Sequence, residues 1–134
     1  MNFDPKDCKV LTASGSYRIL SHFESAYLYT GDAAYDIGDL DGEPACALMD
    51  IEAGWCAVGG HGLHVSNFGT QFEALKMEQP DYTTSQVIWR GHTRPNFTGL
   101  WRVDEFLIHG LSNPGLEDAA LFEINVSTLT FRRI

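Results

Sequence analysis

An alternation of β-forming runs with turn-forming residues leaves few folds open to this chain. Val, Ile, Tyr, Phe, Trp and Thr recur in short runs, and Gly, Asp, Asn and Pro separate them. This pattern is typical of antiparallel sheets, because branched and aromatic side chains pack well on a pleated surface while the separators favour bends. Strands are predicted near 8–13, 16–21, 25–30, 45–51, 54–58, 61–66, 85–90, 99–109 and 119–133, with a turn near 125–128 in the last.

One short helix is predicted, over QFEALKM at 71–77, before Pro80 ends the segment. With at most this helix, the chain is expected to be mostly β, as an antiparallel sandwich or barrel. Its 134 residues, of which 44% are hydrophobic, are enough for one core. No linker-like or low-complexity run divides the sequence, so residues 1–134 are expected to form a single domain.

The cysteines and the first residues bear on location. The start, MNFDPKDCKV, lacks the basic and apolar regions of a secretory signal, and no window approaches the roughly 18 apolar residues needed to cross a bilayer. Cys8, Cys46 and Cys56 are an odd number at wide spacing, which disfavours a disulfide framework. We therefore expect a cytoplasmic protein with reduced thiols.

The stretch GWCAVGGHGLHV at 54–65 raises the question of chemistry, because it holds a cysteine, two histidines and four glycines. A two-residue loop at Gly59-Gly60 predicts three cross-strand pairs: Val58 with His61, Cys56 with Leu63, and Trp55 with His64. Cys56 and His61 would then share a face, as a reactive thiol pair requires. A cysteine among Trp, Ala and Val is nevertheless more typical of a small buried hydrophobe.

Metal binding and catalysis have little support in the sequence. A metal site using Cys56 with His61, His92 or His109 lacks a second close ligand pair, and no phosphate-binding glycine motif is present. Arg90, His92 and Arg94 could form an anion-binding patch, but surface pairing with the chain's acids is the simpler interpretation. We expect no catalytic residues, no metal and no cofactor. Trp89 and Trp101, with apolar neighbours, are predicted to be core anchors.

The net charge of the chain is −9, and one long segment carries acidic residues without any basic ones. No Lys or Arg lies between Arg18 and Lys76, a segment that holds nine acids. Such a field repels phosphate backbones and anionic membranes, so nucleic acids and membranes are disfavoured as partners.

The same field would attract a basic protein and accelerate encounter with it. Apolar residues such as Tyr35, Met49 and Trp55 are interleaved with the acids, as in binding surfaces. The predicted partner-binding residues are acidic and come from this segment: Asp36, Asp39, Asp41, Glu43, Asp50 and Glu52.

Four stretches carry a resemblance to a known class of proteins: YRILSHFESAYLYTGD, DGEPACALMDIEAGWCAVGGHGLHV, WRVDEF and ALFEINVSTLTFRRI. In their order the chain resembles the small acidic immunity proteins of bacterial contact-dependent or secreted polymorphic toxins. The resemblance implies a mostly-β single domain that binds a cognate toxin domain, often a nuclease, and blocks its active site. It rests on strand order rather than on a shared motif, so it assigns no interface residue.

Two alternatives to an immunity or antitoxin-like protein remain open from the sequence. The first is a small β-barrel enzyme or ligand-binding protein that uses Cys56, His61, His92 or Arg90. It predicts a deep pocket and a cysteine with a perturbed pKa. The second is an acidic assembly subunit of a larger complex, which only the identity of the partner distinguishes from the leading hypothesis.

Overall fold

The computed structural model describes residues 4–31, 33–40, 42–67, 86–87 and 95–134. These residues form twelve β-strands and one short 3-10 turn at Pro5–Asp7. The strands are β1 (Lys9–Ser14), β2 (Tyr17–His22), β3 (Ser25–Tyr29), β4 (Ala34–Asp39), β5 (Cys46–Asp50), β6 (Trp55–Gly60), β7 (Gly62–Asn67), β8 (Gln86–Val87), β9 (Phe97–Arg102), β10 (Leu107–Ser112), β11 (Ala120–Asn125) and β12 (Thr130–Arg133). The prediction of a mostly-β fold is confirmed.

Three four-stranded antiparallel sheets follow one another along the chain. The N-terminal sheet has the order β1-β2-β3-β4, the central sheet β5-β6-β7-β8, and the C-terminal sheet β12-β11-β10-β9. Within each sheet, every strand pairs with the strands next to it in sequence, as expected for antiparallel strands that follow one another along the chain. No sheet in the described part of the chain closes on itself, so of the two predicted architectures the sandwich fits and the barrel does not.

The central sheet separates two hydrophobic cores. On β6, Cys56 and Val58 pack with residues of the N-terminal sheet, whereas Trp55 and Ala57 pack with residues of the C-terminal sheet. Successive residues of a strand point to opposite faces, so the central sheet is covered on both sides. This explains why all six residues of β6 are buried and why its sequence, WCAVGG, shows no alternation of apolar and polar residues.

Phe97 anchors the C-terminal sheet to the central sheet and is fully buried. A Cβ at Gly110 of β10 would lie only 2.7 Å from the Phe97 ring, and a Cβ at Gly59 of β6 would lie 3.0 Å from the Phe97 Cβ. The two glycines therefore leave space that this side chain occupies. The ring also meets Phe122 edge-on, with the ring centroids 5.9 Å apart.

The predicted register of the central hairpin is wrong. Gly60 pairs with Gly62, so the chain reverses at His61, and Val58 pairs with His64 instead of His61. Gly62 has a φ of 97° and donates its N–H to Pro95 O at 2.8 Å, which holds the turn at this position. His64 consequently shares the face of Val58 rather than that of Trp55, and it lies buried against Gly38 of β4.

Strand β4 was not predicted, and the strand predicted over 99–109 is in fact two strands. The β4 sequence, AYDIGD, contains two aspartates and a glycine, and only Ile37 in it is buried. Strands β9 and β10 are separated by a turn at 103–106, where Val103 N and Asp104 N both donate to Leu107 O. The predicted helix at 71–77 lies outside the described residues, as does Trp89.

Trp101 is not a core anchor, contrary to the prediction. It is 42% exposed, because its position on β9 points away from the central sheet. Two apolar neighbours suggested burial. Leu100, the residue before Trp101, lies on the inner face, and Val103 lies in the turn that follows β9. Neighbours adjacent in a strand sequence do not share a face, so their burial does not extend to Trp101.

Candidate functional site

Cys56, the strongest candidate for chemistry in the sequence, lies in the interior of the protein. It is 1% exposed, and burial raises the pKa of its thiol to about 12, although hydrogen bonds with Ser66 partly oppose this shift. A thiol with this pKa holds essentially no thiolate near neutral pH, and the thiolate is the nucleophilic form. The position gives Cys56 the properties of a small packing residue.

His61 and Cys56 are not brought together. His61 is exposed in the turn between β6 and β7. The residue before it, Gly60, lies four positions after Cys56 on β6, a distance of about 13 Å along the strand. The other residues of the alternative hypothesis, Arg90 and His92, lie outside the described residues. Among the residues that the structure does describe, no group of three or more His, Cys, Asp or Glu side chains could hold a metal ion.

The five predicted partner-binding acids that the structure describes fall into two separate groups. Asp36, Asp39 and Glu43 are exposed on β4 and in the connection to β5. Asp50 and Glu52 lie at the opposite end of β5, about 13 Å further along that strand. Asp41 lies outside the described residues. The acids therefore do not form one surface, and the two groups have different surroundings.

The second group belongs to a groove of about 400 Å³ between two turns. The turn between β5 and β6 forms one wall and the turn between β9 and β10 forms the other. We call this site the acidic groove; it is lined by Asp50, Glu52, Ala53, Arg102, Val103, Asp104 and Glu105. Four carboxylates and one guanidinium line it, for a formal charge of −3.

Two side chains hold the walls of the acidic groove together. Trp55, buried at the start of β6, donates its indole Nε1–H to Glu105 O at 3.0 Å. Arg102, at the end of β9, contacts Asp50 with 2.8 Å between Nη2 and Oδ2. One hydrogen bond and one ion pair therefore hold the two turns together. This lowers the conformational entropy that the turns would lose on binding a partner.

Asp50 supports the acidic groove rather than presenting a charge to a partner. Its side chain is only 8% exposed, and its two carboxylate oxygens are both engaged. Oδ1 accepts the N–H of Ala53 at 2.9 Å within the β5–β6 turn, while Oδ2 contacts Arg102. Of the two acids predicted at this end of β5, only Glu52 is exposed.

Asp104 and Glu105 were missed by the sequence interpretation, although both are exposed and line the acidic groove. They were placed inside a continuous strand over 99–109, where adjacent residues would have pointed to opposite faces. The adjacent acids in WRVDEF were the available signal, because Asp favours turns and is depleted in strands. Here Asp104 Oδ1 accepts the N–H of Glu105 at 2.7 Å, which fits its place in the turn.

One large exposed apolar side chain lines the acidic groove, and a second lies nearby in sequence. Val103 lines it and is 51% exposed, and Trp101 stands two residues earlier on the outward side of β9.

In the described part of the chain, no helix has the length and apolar character needed to cross a membrane. Comparison with known proteins found no matching family model, no matching curated protein and no matching solved structure.

Proposed function

We propose that this protein is an immunity or antitoxin-like binding protein that occludes a basic surface of a cognate toxin domain. The acidic groove is the site that supports this proposal best, because three exposed carboxylates stand there on turns held by Trp55 and Asp50. Fixed carboxylates attract a cationic surface at long range and accept hydrogen bonds from it on contact. The proposed role requires no catalysis and no cofactor.

The apolar side chains beside the acidic groove match the composition of protein interfaces. Interfaces combine a few large anchors with a polar rim, and Trp is among the residues that contribute most to binding. Val103 is exposed beside Glu52, Asp104 and Glu105 in the acidic groove, and Trp101 is exposed two residues before it, on the outer face of β9. A toxin surface that normally holds phosphates would present Lys and Arg, and the carboxylates would occupy the positions of those phosphates.

Two double charge reversals test the location of the site. E52K/E105K changes the acidic groove, whereas D39K/E43K changes the acids near β4, and each adds four positive charges to the net charge of −9. The net charge is therefore altered equally in both variants, and only the location of the change differs. Tagged wild-type protein and both variants would be used to capture partners from a lysate of the source cells at low and high salt, followed by a toxicity rescue assay.

The expected result is a basic, toxin-like domain retained stoichiometrically by wild type and by D39K/E43K but lost by E52K/E105K. Co-expression of wild type should also neutralise that domain's toxicity. Loss with D39K/E43K alone would move the binding site to the β4 acids. Equal losses in both variants would mean that only net charge matters, and a captured domain without toxicity would contradict the immunity function.

The alternative functions have less support. An enzyme that uses Cys56 would need an accessible thiolate, whereas burial raises the pKa of this thiol to about 12. An acidic assembly subunit would use the same acidic groove, and the capture experiment separates it from an immunity protein by the identity of what is retained.

A further inference from the structure

The outer face of the C-terminal sheet, which points away from the central sheet, carries an ordered row of side chains. Trp101, His109, Glu123 and Arg132 are directly opposite one another across β9, β10, β11 and β12. The Trp101 and His109 ring centroids are 6.1 Å apart. His109 Nε2 lies 3.7 Å, and Arg132 Nη2 3.1 Å, from the same Glu123 oxygen.

Apolar side chains flank this row. Leu111 and Leu121 face each other in the next row, and Ile134 continues it, because its N–H donates to Leu121 O at 2.8 Å. Trp101 is 42% and Ile134 56% exposed. One sheet face thus combines partly exposed apolar residues with a central polar row, the composition of a protein interface.

This face differs in charge from the rest of the protein. Glu123 and Arg132 balance each other on it, whereas the chain carries a net charge of −9. The exposed acids Asp36 and Asp39 lie on the N-terminal sheet, on the far side of the central sheet. Two copies of the chain that met through the outer face would therefore keep these acids apart.

We propose that the outer face of the C-terminal sheet is the interface of a homodimer, whose two-fold axis runs parallel to the strands between β10 and β11. Such an axis places β9 over β12 of the partner and β10 over β11 of the partner. A two-fold interface must be self-complementary, so that when residue i contacts residue j, residue j contacts residue i. The rows on this face meet that requirement.

The central row is complementary to itself under this axis. Trp101 faces Arg132 of the partner subunit, and a guanidinium over an indole ring is a favourable cation–π pair. His109 faces Glu123 of the partner subunit, which can accept a hydrogen bond from the imidazole. In the next row, Leu111 faces Leu121 of the partner subunit.

The shape of the face supports the same axis. A depression of about 220 Å³ lies on its β12 side, lined by Leu107, Glu123, Asn125, Thr130, Phe131 and Arg132. Trp101 projects from the opposite side, on β9. The proposed axis brings Trp101 of the partner subunit over this depression, so that each copy supplies one projection and one recess.

Pairing through the sheet edge is a poorer arrangement for two copies. Strand β12 is an edge strand and carries Arg132 and Arg133. Antiparallel pairing of two β12 strands would bring four arginines together, and charged residues on an edge oppose such pairing. The face is therefore the surface that a second copy fits.

The size of the face predicts a weak dimer. Three strands of six residues and one of four, about 4.8 Å apart, cover roughly 350 Å² per copy. Stable interfaces bury about 800 Å² per partner, so dissociation at low protein concentration is expected. The proposal does not depend on the proposed function, because its test needs no partner other than the chain itself.

Sedimentation equilibrium across roughly 10 µM to 1 mM would measure the dimer of the wild-type protein. Leu111→Glu and Leu121→Arg each place a charge opposite a leucine of the second copy, so each is expected to weaken the dimer about tenfold or more. Mixing the two variants should restore it, because one contact then joins Glu to Arg and the symmetry-related contact joins Leu to Leu. Val10→Glu, an exposed position on β1, is the matched control.

Restoration in the mixture shows that both variants are folded and that the two positions face each other. The proposal is overturned if the wild-type protein is monomeric over the whole range. It is also overturned if both variants dimerise as wild type does, or if two variants with native circular dichroism spectra stay monomeric when mixed. Weakening by Val10→Glu would place the interface on the N-terminal sheet instead.

Discussion

The central β6–β7 hairpin and the acidic groove differ in how they use polar residues. The hairpin contains the cysteine and histidines that suggest chemistry, yet Cys56 and His64 are buried between sheets. The acidic groove is built from ordinary turn sequences, yet Glu52, Asp104 and Glu105 are exposed on its walls. Burial on both faces of a strand suppresses the reactivity of its side chains, whereas a turn tied down at its base leaves its side chains available.

The largest effect is expected in the central hairpin. Leu63 on β7 is fully buried in the core shared by the central and C-terminal sheets. Leu63→Ala should lower the free energy of unfolding by about 2–5 kcal/mol, through lost burial and the cavity left behind. Urea denaturation would measure this, with Leu116→Ala as the control, since Leu116 is 63% exposed and its truncation should change stability by less than about 0.5 kcal/mol. Equal effects would show that the hairpin is not the core.

Alkaline pH should lower the free energy of unfolding through the thiols of Cys46 and Cys56. Burial raises the pKa values of Cys46 and Cys56 from 9.0 to about 12. Above pH 9 the unfolded chain loses these protons while the folded protein keeps them, so stability falls as pH rises toward 12. Between pH 8 and pH 10 each thiol should account for a loss of about 1 kcal/mol.

The alkaline loss is measured by urea denaturation at the two pH values. Cys56→Ala should remove about 1 kcal/mol of the pH-dependent loss, whatever its own effect on stability at pH 8. All other residues are the same in the two proteins, so comparing the variant with wild type isolates the contribution of Cys56. An identical pH dependence in the two proteins would contradict the burial of this thiol.

Much of the fold follows from the sequence, because strand-forming runs and turn residues act locally. Strand β4 and the hairpin register did not follow, since both depend on contacts with distant residues. Gly38 allows β4 to approach His64, and Pro95 O holds the turn at Gly62. Neither partner can be identified from local sequence.

The candidate site was predictable only in part, for the same reason. A run of acids indicates a charged surface, but it does not show that Asp50 pairs with Arg102, a residue fifty-two positions later. Likewise, Asp104 and Glu105 join Glu52 only because Trp55 binds the backbone of the β9–β10 turn. Side chains that lie far apart in sequence build the acidic groove, so charge patterning along the chain identified one of its walls and missed the other.

Asp50 and Glu52 should differ in their effect on stability although both line the acidic groove. Asp50→Asn weakens the contact with Arg102 and puts an N–H₂ group where oxygens accept hydrogen bonds, so a loss of about 1–2 kcal/mol is expected. The exposure of Arg102 keeps this value moderate. Glu52→Gln, in the same turn, should change stability by less than about 0.5 kcal/mol. Thermal denaturation of both variants would measure the two losses of stability. Similar losses would mean that Asp50 does not support the groove.

The smallest effect on stability is expected where the effect on binding should be largest. Glu52 and Glu105 are exposed, and within the described part of the chain neither carboxylate takes part in a side-chain hydrogen bond or ion pair. E52K/E105K should therefore shift the free energy of unfolding by less than about 0.5 kcal/mol, because exposed charges contribute little to folding. The peptide N–H and C=O of Glu105, which hold the turn, are unchanged by the substitution.

Substitutions that weaken binding but leave the free energy of unfolding unchanged identify a binding site. Substitutions that lower both identify residues that support the fold. Denaturation of E52K/E105K at 0.05 M and 0.5 M salt would separate the two cases, since weak surface electrostatics should make its small stability change vanish at the higher ionic strength. A loss above about 1 kcal/mol that persists in high salt would mean that these carboxylates are part of the scaffold, as Asp50 is. Of the three exposed carboxylates of the acidic groove, only Asp104 would then be left for a basic partner, and the groove would resemble the central hairpin in using its polar side chains for the fold.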